Sequence, residues 1–199
     1  MAWFARALAE RGIRVARFEF PYMAARRGPA AKRRPPDRPP VLIDTWRRVI
    51  ASLRGNTLVI GGKSLGGRIA SMVADEEGVA GLVCLGYPFH PPGKPEATRV
   101  EHMAAMRTPA LILQGTRDPF GGADEVAGYA LSPAIEVRWM ADGDHGFKPR
   151  KSSGRTEMEN WEDAARAIDA FVTLLGARLS GRLSAADTAL PRQEKDVRE

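Results

Sequence analysis

TLVIGGKSLGGRIAS, residues 57–71, is the stretch on which the fold turns. Its first five residues form a short apolar run after the turn signal Gly55-Asn56, the pattern of a strand buried on both faces. From Leu65 the spacing of Ile69, Ala70, Val73 and Ala74 predicts a helix over about 65–77. Gly62-Lys63-Ser64-Leu65-Gly66 is therefore a G-x-S-x-G between a buried strand and a helix. As a bare pattern it says little. In this context it reads as a nucleophile elbow, a strained turn that lifts the Ser64 hydroxyl above the sheet. Small residues are required there because strand and helix backbones approach closely. The competing reading is a glycine-rich turn whose serine caps the helix. A P-loop reading fails, because that pattern needs glycine five positions before Gly62 and Thr57 stands there.

Working outward, apolar segments alternate between strand and helix character. Upstream, residues 2–11 place Trp3, Phe4, Ala7 and Leu8 on one helical face. IRVARFEF, 13–20, alternates apolar and polar and predicts a strand that Pro21 ends. Residues 24–40 hold five prolines and predict a loop, and 41–53 return to helical spacing. Downstream, VAGLVCLG (79–86), PALILQG (109–115) and IEVRWM (135–140) predict strands. Helices are expected near 97–106, 123–131 and 156–178. Strands separated by helices imply a mostly parallel α/β sheet covered on both faces, with reactive groups at the carboxyl ends of the strands. The expected organisation is one domain, 1–178, and a polar, disordered tail, 179–199.

Composition narrows the function classes. With 44% hydrophobic residues over 199 positions, one domain with a real core is expected rather than two. No apolar run approaches the ~20 residues of a membrane helix, so no membrane partner is expected. The lone cysteine, Cys84, cannot build a disulfide framework or a cysteine metal site, which points to a core residue in a cytoplasmic protein. The formal net charge is +6, and Arg26–Arg38 carries six basic residues against Asp37. That loop lacks interleaved aromatics and any nucleic-acid motif, so a solvated surface or an active-site flap fits better than a nucleic-acid contact. Nothing here specifies the oligomeric state.

A serine nucleophile needs a base, and the base needs an orienting acid. Of three histidines, His145 in ADGDHGF follows the last strand directly and is the best base. His102 sits in a short helical stretch and reads as surface or packing. Asp118, in GTRDPFG, lies three residues beyond PALILQG, and the order Ser64, Asp118, His145 is the one this architecture requires. Asp142 and Asp144 are rival acids or turn residues. The Leu65 N–H is the expected oxyanion donor. Tyr22, Lys63 and His90 flank the expected site as candidate substrate-binding residues. Such chemistry implies a small-molecule acyl substrate and no metal or organic cofactor.

FEFPYM (18–23), GGKSLGGRIAS (61–71), LGYPFHPPGKP (85–95), LQGTRDPFG (113–121) and GDHGFKPRK (143–151) together resemble the small bacterial α/β-hydrolases related to testis-expressed protein thirty. That group also includes the regulatory subunit of the non-specific-lethal chromatin complex, and dienelactone-hydrolase-like enzymes are more distant relatives. The resemblance covers roughly 1–176. It implies an α/β-hydrolase fold, a hydrolase activity, and Ser64, Asp118 and His145 as nucleophile, acid and base. Through the chromatin-complex relative it also implies an alternative, a non-catalytic interaction module. The family pattern departs at the front, where an HGAG-like loop and earlier strands are expected. On that reading the chain lacks its N-terminal strands and half of its oxyanion hole, and is weakly active or unstable.

Overall fold

The computed structural model describes residues 1–27 and 35–181. The centre of the basic loop, 28–34, and the tail from 182 lie outside the described residues.

Four parallel strands, β1 (Val59–Lys63), β2 (Gly81–Leu85), β3 (Ala110–Gly115) and β4 (Ile135–Met140), form one sheet in the order β1-β2-β3-β4. The two interior strands are buried at every position, which is why their sequences are continuous apolar runs. Pleating sends Leu82, Cys84, Ala110 and Ile112 to one core, while Val83, Leu85, Leu111 and Leu113 enter another.

Helices supply both covers. α1 (Ala2–Ala9) contributes Phe4 to the second core; α2 (Pro21–Ala24) is a single turn opened by Pro21. α3 (Pro39–Ser52) and α4 (Leu65–Glu77) bury Leu42, Trp46, Ile69 and Val73 in the first core. α5 (Ala123–Val126) adds Val126 on that face, and α6 (Glu157–Leu179) lays Ala164, Ile168 and Phe171 on the other. Each fully buried Leu, Ile or Phe contributes about 1.5–3 kcal/mol by leaving water. α6 starts at a capping box: Thr156 Oγ1 accepts from Glu159 N–H at 3.2 Å, and the Glu159 carboxylate accepts from Thr156 N–H at 2.6 Å.

Three expectations change. IRVARFEF is extended but is not a strand: among the described residues it has no ladder partner, and it does not pair with β1. Its pattern is strand-like, yet a strand needs a neighbour for its N–H and C=O groups. The segment is held instead by its last aromatics, with Phe18 edge-on to Trp46 at 4.6 Å and Phe20 buried. The helix expected at 97–106 contracts to a 3₁₀ turn, Glu101–Met103, between the tethers Arg99 N–H to Phe89 O and Ser132 N–H to Met103 O. The helix expected at 123–131 stops after Val126, two residues before Gly128.

Candidate active site

Ser64 stands at the N-cap position of α4 after β1, with no side-chain capping hydrogen bond and with φ 53° and ψ −120°, a left-handed conformation that a non-glycine residue holds only under constraint. The constraint is backbone contact. A Cβ on Gly62 would stand 2.8 Å from Gly66 C, and one on Gly67 would stand 2.6 Å from Gly62 O. Gly66, by contrast, faces open space. The glycine that strand–helix contact requires after Ser64 is thus Gly67, not the second glycine of the G-x-S-x-G.

The loop after β4 carries His145. It is wound tightly, with Asp142 (φ 51°) and Phe147 (φ 72°) both left-handed. Asp144 Oδ1 accepts from Gly146 N–H at 2.7 Å and Lys148 N–H at 3.0 Å. Asp142 accepts from Arg150 N–H at 2.7 Å and pairs with Arg150 and Arg117. The Arg150 hydrogen bond is the main force holding Asp142 down at a pKa of about 2. Both rival acids are therefore turn residues.

The structure brings Ser64, His145 and Asp118 together. His145 Nδ1 lies 2.8 Å from Asp118 Oδ2, and His145 Nε2 lies 2.9 Å from Ser64 Oγ. An ionised carboxylate only accepts, so Nδ1 carries the proton and Nε2 of the neutral ring accepts from the Ser64 hydroxyl. The Asp118 side chain is fully enclosed. Its charge is balanced by three donors: His145, Phe120 N–H at 2.9 Å, and Gln114 Nε2 at 2.9 Å. The Phe120 ring covers the imidazole at a centroid distance of 4.3 Å. Leu65 is the first residue of α4, where the helix ladder leaves an N–H without an acceptor.

The flanking candidates fare differently. Lys63 ends β1 exposed, beside a cavity of about 40 Å³ shared with Phe4, Phe147 and Trp161. His90 is 3% exposed and ties its loop to α5, with Nδ1 2.7 Å from Pro91 O and Nε2 3.1 Å from Glu125. Both partners are acceptors, so the bonded ring carries two N–H groups. Burial opposes that charge, but the Pro91 and Glu125 bonds outweigh it and hold His90 above the usual imidazole value. Tyr22 packs with Phe20 and Arg26, and its N–H bonds Asp37.

Two supporting residues were not visible in the sequence. Gln114, fully buried at the end of β3, donates to Asp118 and accepts from Tyr87 N–H at 2.7 Å. Asn160, in the first turn of α6, donates to Ala141 O at 3.0 Å and Phe147 O at 2.8 Å, fixing both ends of the His145 loop. Neither residue type carries a local signal for such a role; only the place of Gln114 at the end of an apolar run hints at one. Among the described residues, no group of three or more His, Cys, Asp or Glu side chains could hold a metal ion. No described helix is long and apolar enough to cross a membrane.

A sequence-family model of the α/β hydrolase domain matches residues 1–173. The chain belongs to that family. Solved structures agree on the fold of this α/β-hydrolase domain. A serine hydrolase homologue from Coxiella burnetii superimposes with TM-score 0.59 at 24% identity, over 83% of this chain and 74% of that one. An α/β serine hydrolase without a lid from Xanthomonas campestris gives 0.61 at 21% identity, over 85% and 72%. An esterase domain from Rhodothermus marinus gives 0.56 at 19% identity, over 85% and 77%.

Proposed function

We propose that this α/β-hydrolase domain, taken as residues 1–178, is a serine hydrolase that cleaves an ester or similar acyl bond of a small molecule. Ser64 Oγ attacks the acyl carbon as His145 Nε2 removes its proton. Asp118 keeps the ring in the required tautomer and stabilises the imidazolium. The Leu65 N–H donates to the oxyanion as it forms. His145 then protonates the leaving group, and water, deprotonated in turn by His145, releases the acyl group and restores Ser64. Tyr22, Lys63 and His90 serve as flanking residues of the acyl pocket. The finer kinship with the testis-expressed protein thirty group rests on the sequence motifs alone.

The observation that carries this reading is the unbroken relay of 2.8 and 2.9 Å from a buried carboxylate through one imidazole to a serine in a left-handed turn. The esterase and serine hydrolase neighbours support it at the level of fold. A fluorophosphonate probe tests it. Intact-mass and peptide analysis should find one adduct, on Ser64, absent from Ser64→Ala. Folded protein that takes no adduct, or takes it elsewhere, would overturn the assignment.

A further inference from the structure

We propose that Arg68 and Arg99 form a binding site for a carboxylate carried by the acyl group of the substrate. The proposal rests on the hydrolase reading above and adds the substrate class to it.

Arg68 stands four residues past Ser64, about 6 Å along the axis of α4. Its N–H bonds Ser64 O at 3.0 Å, which fixes it in the turn directly behind the nucleophile. Helical side chains lean toward the N-terminus, so the Arg68 side chain leans back toward Ser64. Arg99 comes from the loop after β2, which starts at Gly86 against the His145 ring.

Hydrogen bonds stitch the two segments together. The Ser71 hydroxyl donates to Arg68 O at 2.7 Å, so its lone pairs accept from His102 Nε2–H at 2.8 Å. The Tyr87 hydroxyl donates to Arg99 O at 3.0 Å and lies 3.5 Å from Ser71 Oγ. The backbones of Arg68 and Arg99 are thereby joined through the Ser71 and Tyr87 hydroxyls. Burial and then the Arg68 charge hold Arg99 below the ordinary guanidinium value. The same two causes, in the same order, depress His102 against a weaker opposing pull from Glu101.

What the cluster lacks is an anion. Among the described residues neither Arg68 nor Arg99 has a carboxylate partner, whereas Arg117 and Arg150 share Asp142. Glu101, the nearby acid, accepts from Thr98 Oγ1 at 3.4 Å instead. Arg68 Nε is enclosed with no acceptor among the described residues. An enclosed charged donor without an acceptor is costly, and two like charges held together add to that cost. A planar carboxylate offers both guanidinium forks the two oxygens they are shaped for. With Arg68 one helical turn past Ser64 on α4, the substrate assigned is the ester of a short dicarboxylic acid, its ester at the serine and its free acid at the arginines.

Two measurements on the 199-residue chain test this. First, His102 is titrated by NMR with and without sodium glutarate, against sodium chloride at equal ionic strength. Glutarate should raise the His102 pKa by neutralising the field of Arg68, and Arg68→Gln and Arg99→Gln should abolish the rise. No glutarate-specific rise in the parent protein overturns the site. Second, kcat/KM is compared for the p-nitrophenyl monoester of glutaric acid and for p-nitrophenyl butyrate. The ratio should favour the anionic ester and fall at least tenfold in Arg99→Gln, with Arg99→Lys in between. A ratio unmoved by Arg99→Gln overturns the substrate assignment. If neither ester is turned over, the fluorophosphonate adduct on Ser64 decides the hydrolase reading, and the His102 titration alone decides for or against the carboxylate site.

Discussion

The two flanks of the sheet are built to different standards. On the side of β2, β3 and β4, each interior strand is laddered on both edges, and the Asp118 and His145 loops are tied down by Gln114, Asn160 and Asp142. On the other side, β1, an edge strand as β4 is, has one ladder partner, and the extended segment 13–20 has none among the described residues. Ser64 sits on the seam. Among the described residues its strand pairs with β2 alone, while its hydroxyl is held by a histidine from the far side. The difference teaches that an acid–base pair can be tied on all sides by hydrogen bonds while the strand of its nucleophile lies at a sheet edge.

The largest effect should come from breaking the well-tied side at its centre. Asp118→Asn keeps the shape but offers His145 Nδ1 a donor in place of an acceptor, so esterase kcat should fall about 10⁴-fold. A loss below tenfold would mean that another acid orients the ring. Next, hydrogen exchange should separate the flanks directly. Amides of β2 and β3 should exchange at least about a thousandfold more slowly than those of residues 13–20, because opening a doubly laddered strand approaches global unfolding. Equal rates would dissolve the contrast. The smallest effect is one of pH. Asp142 has its carboxyl pKa lowered from 3.8 to about 2 by Arg150. A lowered folded pKa gives stability that is present above 3.8 and is lost as pH falls through about 2. Melting temperatures of the parent and Asp142→Asn should therefore differ at pH 5 and converge by pH 2. A gap that persists at pH 2 would point to packing rather than charge.

Sequence reading reached the parts of this molecule that depend on local chemistry. The strand–elbow–helix unit was legible because an apolar run and glycines report a strand and a close turn directly, although β1 is half-buried at the sheet edge rather than buried on both faces. The order Ser64, Asp118, His145 was legible because each residue follows a strand of the parallel sheet. What stayed hidden depends on neighbours distant in sequence. IRVARFEF has a strand's alternation, but its state is decided by whether another strand lies alongside. Gln114 reads as one more residue of an apolar run until the fold places it 2.9 Å from Asp118. Choosing among Asp118, Asp142 and Asp144 rested on strand order, and the loop geometry gives the reason: the latter two carboxylates are consumed by the turn that presents His145.

The left-handed backbone of Ser64 has an evolutionary consequence. Glycine would occupy that conformation without strain, which costs a side-chain-bearing residue on the order of 1–3 kcal/mol. Selection for folding alone would drift this position to glycine, whereas selection for a hydroxyl resists that drift. Position 64 is thus where demands for a stable chain and for a reactive one pull in opposite directions, so stabilising this protein by random mutagenesis and screening for solubility would tend to erase the proposed nucleophile.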